Sequence, residues 1–251
     1  MFKYSQANAK TKLLYRYADS SLKQWLGDQR KKVYSIDLLS GFSCPHAKQC
    51  LSRAIQLPNG KRKIKDGKHT EWRCFSASQE ARLKDVYKKR DENLKVLRKA
   101  KTEDGIFEVL SSNLPLDAGV VRMHVSGDFF SLEYFKAFLR LARENPGVLF
   151  YAYTKCLDYW VENREEVESL ENVVMTASRG GDLDHMIEEH GLREALVVLS
   201  ADESAHVGEL DHTDIHAADP ARRAESFRLL IHGSQPAGTD AARALQILKT
   251  A

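Results

Sequence analysis

The sequence predicts an α/β fold in which a parallel sheet is flanked by helices, either open or closed into a partial barrel of about six strand–helix units. Three observations predict it. Short apolar runs recur at 120–125, 148–153, 173–176, 195–199 and 227–231 without strict polar alternation, as expected for strands buried on both faces. Segments with helical spacing lie between them, and turn signals such as Pro146-Gly147 separate the two kinds of element. Alternation of this kind implies crossover connections and hence parallel pairing.

Taken in order, residues 1–32 carry Leu13, Leu14, Tyr17, Leu22 and Trp25 near three- and four-residue spacing, which predicts one or two N-terminal helices ended by Gly27-Asp28. Residues 33–39 read as the first strand. Between 54 and 73 the turn signals Pro58-Asn59-Gly60 and Asp66-Gly67 bracket a very basic stretch, which predicts a hairpin-like insertion. Residues 78–101 hold no Gly or Pro and read as one amphipathic helix, with a shorter one over 106–110. The strands named above then alternate with helices over 131–145, 157–170, 183–190 and 239–249, and a long polar loop precedes Arg223. The whole chain, 1–251, reads as one α/β domain with the barrel over 32–251.

The chain has 251 residues, 43% of them hydrophobic, enough for a sizeable core. No apolar run is long enough to span a bilayer and the N-terminus lacks a signal-peptide pattern, so a cytoplasmic protein is expected, with no membrane partner. Four cysteines are no disulfide framework, and clustered cysteines in a reducing compartment are more often ligands or catalytic groups. The net charge of +3 hides an asymmetry: residues 1–101 hold 25 Lys and Arg against 9 Asp and Glu, the remainder 13 against 26. The basic half is a candidate contact for nucleic acid, with Lys88, Lys89 and Arg90 as test positions. The competing expectation is that it docks on the acidic half.

Functional groups in parallel α/β folds collect at the carboxyl ends of the strands, and here every strand end is polar or glycine-rich. The first leads into Cys44-Pro45-His46-Ala47-Lys48-Gln49-Cys50, answered by Cys74. Cys44, Cys50 and Cys74 are candidate ligands of a [4Fe–4S] cluster with one open iron site, since such clusters tolerate irregular spacing. Zinc and plain buried thiols are the alternatives. Cys156 reads as a buried thiol at a helix start, with a fourth ligand facing the same pocket as the alternative. Asp128, Lys155, Arg179 and His232 are candidate catalytic or ligand-pairing groups. Ser126, Gly127, Asp128, Ser178, Gly180 and Ser234 are candidates for binding a small-molecule ligand or substrate. Helix capping and tight turns are their bland alternatives. The stretch Asp211-His212-Thr213-Asp214-Ile215-His216 has the composition of a second metal site, or of an acidic surface loop.

Several stretches carry a family resemblance. Ser43-Cys44-Pro45, Cys50-Leu51-Ser52, Arg73-Cys74-Phe75, His124-Val125-Ser126-Gly127-Asp128-Phe129-Phe130, Thr176-Ala177-Ser178-Arg179-Gly180-Gly181 and Ile231-His232-Gly233-Ser234-Gln235-Pro236-Ala237-Gly238 resemble the phage gene product 88 family. This resemblance implies phage or prophage origin, the cytoplasm of an infected or lysogenic bacterial host as location, and a host protein as a candidate partner. More distantly, the chain is similar to radical S-adenosylmethionine enzymes, which place a three-cysteine [4Fe–4S] loop after the first strand of a partial (βα)6 barrel. That similarity implies a cluster-dependent enzyme and places Ser126-Gly127-Asp128 where the methionine amine of S-adenosylmethionine would bind. Their tight C-x3-C-x2-C spacing is not kept, because Cys74 lies far beyond Cys50.

Overall fold

A computed structural model describes residues 1–250. Its centre is a seven-stranded sheet of β1 (Ser5–Gln6), β2 (Lys32–Asp37), β5 (Ala118–Ser126), β6 (Leu149–Thr154), β7 (Val173–Ser178), β8 (Glu194–Val198) and β9 (Phe227–Leu230), in that spatial order. All neighbours from β2 to β9 are parallel, and β1 adds an antiparallel edge through Ser5 opposite Ser35. β1 and β9 are the two edges, so the sheet is open and no closed barrel forms. The expected strand–helix alternation is present. The central strands are buried along almost their whole length, which explains why their sequences do not alternate.

One face carries Ile36, Val121, Met123, Phe150, Ala152 and Met175 against the helices α3 (Lys84–Ala100), α4 (Glu103–Ser112) and α5 (Leu132–Glu144). Ser131 caps α5 by accepting from the Tyr134 N–H at 3.3 Å, and Thr102 caps α4 by accepting from Gly105 at 3.1 Å. The opposite face carries Val33, Val120, Leu149, Tyr151 and Val174. It is covered by the N-terminal 3-10 turn Thr11–Tyr17, the short α1 (Lys23–Leu26) and α9 (Ile215–Ala218).

The basic insertion forms a separate two-stranded antiparallel ribbon, β3 (Ser52–Gln56) and β4 (Arg62–Asp66), with Ala54 opposite Ile64. Two expected helices are divided. The 78–101 helix is α2 (Phe75–Arg82) and α3, separated by Leu83 in an extended conformation. The 157–170 helix is α6 (Leu157–Glu162) and α7 (Arg164–Ser169), separated at Asn163. α8 (His185–His190) ends at Gly191 in the left-handed region, and α10 (Asp240–Thr250) closes the described chain.

Candidate functional site

The loops that follow the strands meet at one end of the sheet. The cysteine loop lies on the loop after β7: the N–H groups of Lys48 and Gln49 donate to the Gly180 carbonyl at 3.3 and 3.0 Å, and Asp182 N–H donates to the His46 carbonyl at 3.0 Å. Gly180 sits at φ +101°, and a Cβ there would stand 2.5 Å from Gln49 Oε1, so glycine is required for this close approach. The segment before α2 joins the same layer. Glu71 N–H donates to the Gln49 carbonyl at 2.8 Å, and Cys74 N–H to Ser52 Oγ at 3.3 Å. The loop after β9 arrives last, with Gln235 bound twice to the backbone of Arg73.

Four of the candidate residues, Asp128, Lys155, Ser178 and Arg179, bind one another here. Ser126 is instead held by Glu80, and His232 and Ser234 lie against the start of α2, beside Phe75 and Ser78. Asp128, buried after β5, accepts from Phe129 N–H at 2.8 Å, Thr154 Oγ1 at 2.7 Å and Lys155 N–H at 2.8 Å. Burial pushes its carboxyl above the usual range, and those three donors oppose the shift. Lys155 Nζ donates to the Ser178 carbonyl at 2.5 Å, to Ser178 Oγ at 3.1 Å and to the Arg179 carbonyl at 2.7 Å. Arg179 pairs with Glu194 and with Glu188. Gly180 and Gly181 donate their N–H groups to Asp184 at 2.8 and 2.9 Å, so this turn binds its own carboxylate. Gly127, at φ +95°, lies where a Cβ would meet Ser43 Oγ at 2.5 Å.

A residue without an assigned role in the sequence sits at the centre of this layer. Glu80 is fully buried. It accepts from Ser40 N–H at 3.1 Å and Ser40 Oγ at 2.8 Å, from Ser126 Oγ at 3.0 Å and from Arg90 Nη1 at 3.0 Å. It therefore ties β2, β5, α2 and α3 together beneath the loops. The available signal was its place on the small-residue face of α2, beside Ser76 and Ala77, where a solvated Glu would be out of place.

The three cysteines do not form the expected metal centre. Cys44 is turned into the bend at Gly41, whose N–H approaches its Sγ at 3.3 Å. Cys74 is turned into the first turn of α2, where the N–H groups of Ala77 and Ser76 face its sulfur. Among the described residues no three His, Cys, Asp or Glu side chains are grouped to hold a metal ion. This overturns both the [4Fe–4S] reading and the zinc alternative, and it applies equally to the Asp211–His216 stretch. Burial pushes the Cys44 thiol well up, and Asp128, Cys74 and Cys50 add to the shift. Burial and Cys50 push Cys74 up to about 11, against the α2 N–H groups. Both are thiols rather than thiolates at neutral pH. Cys156 is buried and donates to the Phe129 carbonyl at 2.9 Å.

A second polar group lies on the opposite face of the sheet. Asp214 is fully buried and pairs with Arg122 at 2.6 Å and Lys10 at 2.7 Å, and it accepts from Tyr151 OH at 3.0 Å. Nearby, His216 lines a cavity of about 500 Å³ with Glu209, Arg222 and Glu225. Its Nε2 lies 3.2 Å from Glu209 and 2.8 Å from Arg222.

An open, mostly parallel α/β sheet, whose strand-end loops are spent on sealing one end of it, is the class of protein these observations define. The family model described as Gene product 88 matches residues 2–248, and the chain belongs to that phage gene product family. Comparison with the curated proteins and with the solved structures returns no match. The resemblance to radical S-adenosylmethionine enzymes receives no support from these comparisons. Among the described residues no helix is long and apolar enough to cross a membrane.

Proposed function

We propose that the protein binds nucleic acid in the cytoplasm of the phage's bacterial host, through the outer face of the β3–β4 ribbon. One observation carries this reading. Arg53, Lys61, Lys63 and Lys65 lie on one face of the ribbon, Arg53 directly opposite Lys65; all are exposed and none has a carboxylate partner among the described residues, although Arg53 donates its Nε to the Gly41 carbonyl at 2.9 Å and lies over the Phe42 ring. Strand geometry explains the arrangement, because residues two apart share a face. Lys68 extends the row just beyond β4.

Several other cations of the basic half are already engaged. Lys10 pairs with Asp214, Lys32 with Asp117 and Lys48 with Asp182, so part of this half docks on the acidic one. Along α3, Lys88 pairs with Glu92, Lys95 with Asp91 and Arg90 with Glu80, and Lys89 donates to Ser5 Oγ at 2.7 Å. The ribbon thus replaces the Lys88-Lys89-Arg90 stretch of α3 as the contact surface.

Lysines on a two-stranded ribbon also discourage edge-to-edge pairing, and salt dependence separates the two roles. Neutralised phosphates release counterions, so affinity for duplex DNA falls with log salt at a slope of about −0.9 per contact. Fluorescence anisotropy with labelled DNA is expected to show that slope, reduced by roughly two to three in the variant Lys61→Glu/Lys63→Glu/Lys65→Glu. Unchanged affinity and slope in that variant would overturn the reading.

A further inference from the structure

Phe75 is among the few large apolar side chains left exposed, at 38%. It stands at the first position of α2, and its ring lies 4.8 Å from that of His232, tilted by 40°. His232 is itself exposed, on the loop after β9. We propose that the Phe75–His232 pair is a base-stacking platform, which makes single-stranded nucleic acid the preferred ligand. This inference rests on the nucleic-acid reading above and adds the strand state of the ligand to it.

The pair is built rather than incidental. Gly233 follows His232 at φ +86°, and a Cβ there would stand 2.7 Å from Phe75 Cδ2, so only glycine lets this loop lie against the ring. Gln235 accepts from Arg73 N–H at 2.6 Å and donates to the Arg73 carbonyl at 3.1 Å, and Ser78 Oγ reaches the Ser234 carbonyl at 3.5 Å. These bonds fix both rings before any ligand arrives, which lowers the ordering cost of binding. Although the residue is open to solvent, partial desolvation of its ring, with the charge of Lys10, lowers the His232 pKa from the ordinary histidine value, which favours the neutral imidazole in the aromatic contact.

Placement beside the cationic ribbon supplies the second half of the recognition. Cys74, next to Phe75, donates its N–H to Ser52 Oγ at 3.3 Å, and Arg73 pairs with Asp66 at 2.6 Å. Ser52 and Asp66 face each other in the ribbon, one register step from Arg53 and Lys65. Successive side chains alternate faces, so Ser52 and Asp66 hold the aromatic segment against the face opposite Arg53 and Lys65. A strand crossing the 52/66 end of the ribbon carries its phosphates past the cations on one face and its bases to the aromatic pair on the other. Only unpaired bases present free faces for stacking, and an aromatic residue with cations alongside is the sequence-tolerant way of holding them.

The test uses the full chain with a labelled polythymidine 20-mer and a duplex of the same length at fixed salt. The wild type is expected to bind the single strand at least about tenfold more tightly. Phe75→Ala is expected to lose roughly 5- to 100-fold on the single strand, with the salt slope and the duplex affinity unchanged, and Phe75→Tyr is expected to restore binding. His232→Ala reads the same contact if Phe75→Ala melts abnormally. Equal affinity for the two DNAs, or a Phe75→Ala variant that binds as the wild type does, overturns the stacking inference while leaving the ribbon reading standing. Binding of neither DNA at low salt overturns both.

Discussion

Gln235 and Arg73 are joined by a two-bond clasp: the Gln235 amide accepts from the Arg73 N–H at 2.6 Å and donates to the Arg73 carbonyl at 3.1 Å, across 162 positions of sequence. The clasp holds the loop after β9 against the start of α2. Gln235→Ala removes both bonds, at a net cost of about 1–2 kcal/mol. For a chain of this length that corresponds to a fall in Tm of roughly 2–8 °C. Differential scanning calorimetry checks it, and an unchanged Tm would show that the loop is held by other means.

The Glu80–Arg90 pair is the most deeply buried ion pair of the strand-end layer, at 0% and 5% side-chain exposure. Leaving one buried partner unpaired costs about 3–5 kcal/mol, which is the expected loss for Arg90→Met in urea denaturation. The double variant Glu80→Gln/Arg90→Met is expected to be less destabilised than the two single losses combined, because it leaves no isolated charge. Strict additivity would contradict the pairing.

His124 provides a pH test. It is 3% exposed, and burial, helped by Arg122, lowers its pKa to about 3. A histidine whose folded pKa is depressed contributes stability that is complete above its unfolded value near 6.5 and declines as pH falls toward 3. The limiting slope is about 1.4 kcal/mol per pH unit. Asp214, lowered to about 2 because Arg122 and Lys10 outweigh the effect of burial, loses its contribution only at lower pH, below the usual carboxylate range. His124→Asn keeps a residue that tolerates the +68° φ found there. The difference in unfolding free energy between the wild type and this variant is expected to change with pH between 6 and 4.5; a flat difference would disprove the assignment.

Cys74 reports on the thiol layer directly. In a variant with Cys44, Cys50 and Cys156 replaced by Ser, alkylation of Cys74 by iodoacetamide is expected to accelerate with pH up to an inflection at or somewhat below about 11, since Cys50 contributes part of the shift. An inflection below the ordinary cysteine value near 8.5 would mean that the N–H groups of α2 prevail over burial.

Much of the fold was legible because its signals are local. The runs 149–153 and 173–175 are apolar throughout, and the strands they mark are buried on both faces. The division of 78–101 at Leu83 was not legible: neither Gly nor Pro marks it, and the change of direction follows from packing Glu80 inward while α3 lies on the sheet. β1 is two residues long and exists only through pairing with β2, a tertiary effect that no periodicity reports. At the strand ends, the positions of Asp128, Lys155 and Arg179 were readable from the topology. Their partners were not, because Thr154, Ser178, Glu188 and Glu194 complete them through contacts invisible to composition. The cysteines misled for a related reason. Their common position at the first strand end suggested a shared ligand set, whereas the bend at Gly41 and the first turn of α2 turn backbone N–H groups toward the Cys44 and Cys74 sulfurs.

The strand order carries a consequence for biosynthesis. From β6 onward each strand lies beside the one made just before it, so a chain emerging from the ribosome meets an already formed edge at every step. The Arg73 side of the clasp waits through all of this, because Gln235 is translated only after β9. Nascent chains released before Gln235 are therefore expected to hold the sheet and leave the segment around Arg73 open to protease, which would make the clasp a marker of completed synthesis.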